Sequence, residues 1–287
     1  MKIDLVIIDP QNSFCYPGLK DVSDETHDYL IDNGMEYLLE PGELFVPGAD
    51  KDMERLAAMI NRIGNKINQI HITMDSHHLV DIAHPIFLIN STGEHPSPFT
   101  IITEKDVKDG VWRTTYPGFQ KRLVEYVEKL SSNGRYPLCV WPPHCIIGTF
   151  GHNIYGPVQK TILNWERNFK IANCITKGSN IFTEHYSALQ ADVPDPADLT
   201  TSLNTRFIEL MENVDIILIA GEARSHCLAN TAKDLIDNFG DGSNIEKIHL
   251  LEDATSDVPG FESLGEDFIK YATEKGMKIT NTVDFLS

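Results

Sequence analysis

Short aliphatic runs, most of them rich in β-branched residues, recur along this chain, and stretches with apolar residues at helical spacing separate them. The runs fall at 3–8, 67–74, 137–141, 169–176, 215–220 and 247–251, with a weaker one at 277–282. Most are continuously apolar rather than alternating, the pattern of strands buried on both faces. Between them, Met53, Leu56, Ala57, Ile60 and Ile63 share one helical face. So do Leu123, Val127 and Leu130, and so do Leu228, Thr231, Ala232, Leu235 and Phe239. Asn133-Gly134 offers a stop for the second of these helices, and Ser225 an N-cap for the third. Such alternation predicts a mostly parallel central sheet between helices, a three-layer α/β/α sandwich. Ligands of such sheets bind outside the carboxyl ends of the strands.

A length of 287 residues allows one large domain or two small ones. Stretches 11–45 and 84–118 fit the strand–helix plan poorly and lack the periodicity for cores of their own. They read as insertions into a single domain over 1–287. The 42 acidic residues outnumber 24 Lys and Arg, a net charge of −18. That balance argues against nucleic acid or an anionic membrane as partner. The chain has no apolar run of about 20 residues that could span a bilayer. The N-terminal run is too short for a signal peptide and is interrupted by Asp4 and Asp9. Five cysteines without a CxxC pair do not form a disulfide framework. A soluble protein of the reducing cytoplasm is expected.

The strand ends carry the chemistry. The first run is followed by Asp9-Pro10-Gln11-Asn12-Ser13-Phe14, the second by Asp75-Ser76-His77-His78, the third by Pro142-Pro143-His144-Cys145. Lys177-Gly178 follows the fourth, and Gly221-Glu222-Ala223-Arg224-Ser225-His226-Cys227 the fifth. One carboxylate and two imidazoles, from Asp75, His77 and His144, make a ligand set for a divalent metal, zinc or iron, with positions left open. His84 is a candidate fourth ligand. Cys227 stands at a helix start, where a thiolate is favoured, and Lys177 would add to that effect. Asp9 could take the thiol proton and later deliver it to a leaving group. Cys145 is the rival nucleophile and is disfavoured beside His144. Neither His-Cys pair forms a phosphate loop: the closing Arg is replaced by Gly151 after Cys145 and by Lys233 after Cys227.

These segments resemble the nicotinamidase branch of the isochorismatase-like cysteine hydrolases. Asp9 with Gln11, Asn12 and Phe14 is similar to that family's opening, and Val46-Pro47-Gly48-Ala49 to its approach to the first helix. Trp141-Pro142-Pro143-His144-Cys145, with Gly148, Thr149 and Gly151, resembles its metal-site segment and is the most specific motif. Lys177-Gly178 resembles its lysine segment, Gly221-x-Ala223-x-x-His226-Cys227 its nucleophile segment, and 282–286 its C-terminal strand. The resemblance runs in order along nearly the whole chain. It implies a triad of Asp9, Lys177 and Cys227 and metal ligation by Asp75, His77 and His144. It also implies Phe14 and Trp141 flanking a flat ring, a cis peptide before Ala223, and an oxyanion site at the amides of Ala223 and Cys227. Glu222, Ser225 and Ser76 depart from the family's usual residues at their positions, and the stretch 84–118 is not typical of it.

The function expected from this reading is hydrolysis of a small aromatic amide, nicotinamide first among them, in a role within NAD salvage. Two alternatives stay open: an amidase of another small carboxamide, and a metal-stabilised binding protein without catalysis. A homo-oligomer is compatible with either.

Overall fold

The wholly buried strand Ile3–Ile8 (β1) anchors the architecture. The other strands of its sheet are Ile67–Asp75 (β2), Asn173–Lys177 (β3), Ile216–Gly221 (β4), Ile248–Leu251 (β5) and Lys278–Thr280 (β6). All neighbours are parallel, in the order β6-β5-β4-β1-β2-β3. The computed structural model describes residues 1–133 and 135–287. The chain winds outward from β1 to β3, then returns to lay β4 against the other side of β1. That reversal opens a crevice at the carboxyl ends of β1 and β4, the usual ligand position in a doubly wound sheet.

The helices used below are Ala49–Ile63 (α1), Gln120–Ser132 (α2), Gly156–Glu166 (α3), Thr205–Glu212 (α4), Ala229–Asn238 (α5) and Glu262–Lys275 (α6). α1 packs on α3, and α5 on α6, giving the helical layers of the sandwich. α1 buries Met53, Leu56, Ile60 and Ile63, the stripe read from the sequence. Gly221 closes β4 at φ +113°, and a Cβ there would collide with the backbone of Ile8. β1 and β4 can therefore approach closely just where each hands over to its loop.

Several segments differ from the sequence reading. Of 137–141 only Leu138–Cys139 is a strand, and it pairs antiparallel with Ile101–Ile102, away from the main sheet. Pro137, Pro142 and Pro143 lack the N–H groups a central strand must donate. The following segment docks on the end of β2 instead: His77 N–H donates to Cys145 O (3.1 Å), and Ile147 N–H to His77 O (3.0 Å). The run at 169–176 becomes strand only from Asn173, because β3 is the sheet edge and has no partner to bury Phe169 or Ile171. Residues 282–286 form turns, not a strand. Ser225 does not cap α5, whose N-cap is Leu228; its Oγ accepts from Val258 N–H (3.1 Å). α2 ends at Ser132 with Asn133 as C-cap, and Gly134 lies outside the described residues. Stretch 11–45 forms the short helices Asn12–Cys15 and Asp24–Asp32. Stretch 84–118 pairs Leu88–Ile89 with Arg113–Thr114 and adds the helix Glu104–Lys108. Among the described residues, no helix is long and apolar enough to cross a membrane.

Candidate active site

Asp9 leaves β1 at φ +41°, fully buried. Its N–H donates to Thr73 Oγ1 (3.0 Å), and that hydroxyl donates back to Asp9 Oδ1 (2.5 Å). Gln11 fastens the same loop to β2. Its carboxamide donates to Asp75 O (2.7 Å) and to His152 O (3.0 Å) and accepts from Asp75 N–H (2.7 Å). The carboxylates of Asp9 and Asp75 are thereby fixed from both sides.

Lys177, from the last position of β3, inserts its ammonium between them. Nζ lies 2.9 Å from Asp9 Oδ2, 3.1 Å from Asp75 Oδ1 and 3.5 Å from Cys227 Sγ. Burial disfavours the Lys177 charge, but Asp75 and Asp9 outweigh it and hold the ammonium well above its usual range. Burial pushes the Asp9 carboxyl up, opposed by Lys177. Burial also pushes the Cys227 thiol well up; Lys177 pulls it down, while Asp9 and Asp75 add to the rise. The arrangement suits a thiol that hands its proton to Asp9 as it reacts. Cys145 makes no such approach to Lys177; its N–H donates to Ser13 Oγ (2.8 Å), and burial pushes its thiol well up.

Next to this group stand Asp75, His77 and His144, all buried, with ligand atoms within 4.8 Å of one another. Asp75 Oδ2 is 3.1 Å from His77 Nε2 and 3.6 Å from His144 Nε2. The other ring nitrogens are already engaged: His77 Nδ1 with Asp81 Oδ2 (3.1 Å) and His144 Nδ1 with Pro142 O (2.9 Å). Both Nε2 atoms are thus aimed at a shared point, with outer partners orienting each ring. His84 sits against both rings, at 5.2 Å from His77 and 5.7 Å from His144. Its Nδ1 meets Leu79 O, and its Nε2 is buried without a partner. Burial lowers its pKa to about 4, so the ring is neutral and able to ligate. This donor set fits a divalent metal of the zinc or iron type. Gly178, at φ +84°, sits against it; a Cβ there would stand 2.6 Å from Asp75 Oδ1.

No family model matches the chain, and no curated protein matches it. Solved structures do. The yeast nicotinamidase bound to the inhibitor nicotinaldehyde is 15% identical, with a TM-score of 0.59 over 97% of this chain and 99% of that one. A nicotinamidase/pyrazinamidase from Acinetobacter baumanii is 20% identical, with a TM-score of 0.59 over 99% and 98%. An isochorismatase-like hydrolase from Alkaliphilus metalliredigens is 13% identical, with a TM-score of 0.51 over 100% and 98%. The fold is that of the isochorismatase-like hydrolases.

On this isochorismatase-like fold the metal-type cluster and Cys227 face one narrow pocket, also lined by Phe14, Trp141, Glu184, Tyr186, Ala223 and His226. The Glu222–Ala223 peptide is cis. Phe14 lies edge-on to His144 at 5.4 Å. Trp141 donates its indole N–H to Tyr186 Oη (3.0 Å) and stands perpendicular to His226 at 5.1 Å. Glu184, Tyr186 and Asp81 escaped the sequence reading, which named His226 only as part of the nucleophile segment. Glu184 and Tyr186 lie in a long loop after β3 with no periodicity to flag them. Glu184 is pushed up to about 8, chiefly by burial. His226 is pushed down to about 3 by burial and stays neutral. The pocket wall combines the aromatic Phe14, Trp141 and Tyr186 with the aliphatic Leu44, Ala223 and Val258.

A larger cleft, about 570 Å³, opens at the opposite edge of the sheet, between the amino ends of the strands and α4. Its buried groups are already satisfied. His71 Nε2 meets Asp4 Oδ2 (3.2 Å), Asn68 donates to Asp4 Oδ1 (2.8 Å), and Asn173 donates to His71 Nδ1 (3.0 Å). Size alone does not make it the reactive site.

Proposed function

We propose that this chain is a cysteine hydrolase of the nicotinamidase type. It would cleave a small aromatic amide, nicotinamide foremost, to the carboxylate and ammonia. The observation that carries the reading is the buried contact of one ammonium with both a carboxylate and a thiol: Lys177 Nζ at 2.9 Å from Asp9 and 3.5 Å from Cys227. A binding protein without catalysis has no use for three mutually costly buried groups, whose assembly only chemistry repays. A second reading, another small carboxamide, is supported by Phe99 from the stretch 84–118, which packs edge-on at 5.8 Å against Trp141, a residue of the pocket wall.

In the proposed mechanism Asp9 accepts the Cys227 proton as sulfur bonds to the amide carbon. Transfer and attack occur together, since the free thiolate is disfavoured in this site. Lys177 keeps its charge and holds the pair in register. The oxyanion is received by the backbone N–H groups of Ala223 and Cys227. Asp9 then gives its proton to the departing nitrogen, ammonia leaves, and a thioester remains on Cys227. Asp9 next takes a proton from water as its oxygen attacks the thioester; sulfur leaves and recovers that proton. Asp75, His77 and His144 would hold a divalent metal, with His84 beside them. When bound, that metal supplies a Lewis-acid contact that anchors an aromatic ring nitrogen or a water. Phe14 and Trp141 would flank the ring.

A panel of amides scored for ammonia tests this. Nicotinamide should give the highest kcat/KM, benzamide less, and aliphatic amides little. A chelator should lower the rate at least about 10-fold, with zinc or iron(II) restoring it. An aliphatic amide as best substrate would shift the assignment to the second reading.

A further inference from the structure

The turn bearing Ala223 and Cys227 is fastened from behind by a buried polar cluster that the reaction does not use. Glu222 is fully buried, and its Oε2 accepts from Ser256 N–H (3.1 Å). Ser256 Oγ donates to Asp52 Oδ2 on α1 (2.6 Å), and Asp52 also pairs with Arg55. Ser256 O accepts from Arg224 N–H (2.8 Å). Arg224 forks onto Asp257, with Nε 3.0 Å from Oδ1. Val258 N–H donates to Ser225 Oγ (3.1 Å). Three positions of one short stretch, Glu222, Arg224 and Ser225, are thus tied to residues 256–258, and through Ser256 to α1.

The second oxygen of Glu222 is the telling one. Oε1 is buried and has no hydrogen-bond partner, and Ser256 bridges the two acids, with its N–H on Glu222 and its hydroxyl on Asp52. Two buried carboxyl groups this close, with no cation on Glu222, do not both ionise. The proton belongs on Glu222: burial first, then the Asp52 charge, push it well up. Asp52 has Ser256 and Arg55 to support its charge. The other titratable or charged groups facing Glu222 are Cys15, Arg224 and Asp257.

We propose that Glu222 is a positioning residue, a neutral carboxyl that accepts from Ser256, whose hydroxyl is in turn bonded to Asp52 of α1. It holds the 223–227 turn against α1, so that Cys227 stays within reach of Asp9 and Lys177. The inference rests on the cysteine-hydrolase reading for its catalytic consequence, not for its chemistry. Preorganised sites need such supporting partners, because small misplacements of a reacting group are costly.

Two variants test it in the metal-loaded full chain. Glu222→Gln keeps a neutral acceptor for Ser256; Glu222→Ala removes it. With nicotinamide, Glu222→Ala should lose at least about 10-fold in kcat with KM within about 3-fold, and Glu222→Gln should stay within about 3-fold of wild type in both. Melting temperatures give a readout that needs no substrate. An acid whose pKa is raised in the fold contributes stability that is full below its unfolded pKa and is lost as pH rises toward the folded value. Glutamine has no such loss. The melting temperature of Glu222→Gln minus that of wild type should therefore grow by about 3 °C or more between pH 5 and pH 8. A difference that stays flat overturns the proposal, as does a Glu222→Ala variant with wild-type kcat or a Glu222→Gln variant as slow as Glu222→Ala. If Glu222→Ala does not fold, the glutamine melting series decides. If wild type releases ammonia from no amide, the hydrolase reading fails, and the same series still decides the state of Glu222.

Discussion

Cys227→Ala is expected to release ammonia from nicotinamide at least about 10³-fold more slowly than wild type, with its metal content unchanged. The size follows from the proposed role. Without sulfur no thioester forms, and the remaining groups can only orient an amide toward water. Metal should be retained, because Asp75, His77 and His144 form a group without Cys227, although its Sγ lies within 4.8 Å of the Asp75 carboxylate. Steady-state ammonia release and elemental analysis of the same sample check both halves. A variant with full turnover would remove Cys227 as nucleophile. A variant that lost both activity and metal would instead make the thiol part of the metal site.

His144→Ala is expected to lower bound metal at least about 10-fold, with far-UV circular dichroism unchanged. Asp75 and His77 would remain, both delivered by the end of β2 and both locked by Gln11 and Asp81. His144 comes from a different segment, docked on β2 through His77 and Cys145. Its removal takes away a third ligand without disturbing the strand that carries the other two. Metal analysis after dialysis against free zinc checks this. Equal metal in variant and wild type would take His144 out of the ligand set. Amidase activity should fall in parallel, since the ring loses its anchor.

The middle of the sheet was legible because β1, β4 and β5 are buried along nearly their whole length and so carry little polar residue to blur them. β1 runs over the same residues as the first apolar run, and β2 and β4 end within a residue of theirs. The run at 137–141 misled for the same reason. It is as apolar as a central strand, but its burial comes from stretch 84–118 and from the aromatic side chains around Trp141. Hydrophobicity reports burial and does not say what covers it. The residues after the strand ends could be named because topology brings such positions together. Their mutual contacts could not: nothing in the sequence says that Lys177 also pairs with Asp75. Glu184 and Tyr186 were invisible for another reason: the loop holding them is ordered by tertiary contacts, which leave no local pattern. Glu222 was noticed only as a departure. Asp52 and Ser256, 170 residues before it and 34 after it, are what give that departure a physical reason.

The central claim is a thioester on Cys227, and the most direct measurement is the intact mass of metal-loaded enzyme, acid-quenched during turnover of nicotinamide. The account predicts one nicotinoyl adduct per chain, mapping to the peptide that contains Cys227 and absent from Cys227→Ala. Ammonia release without any adduct at quench times short of one turnover, or an adduct on Cys145, would contradict it.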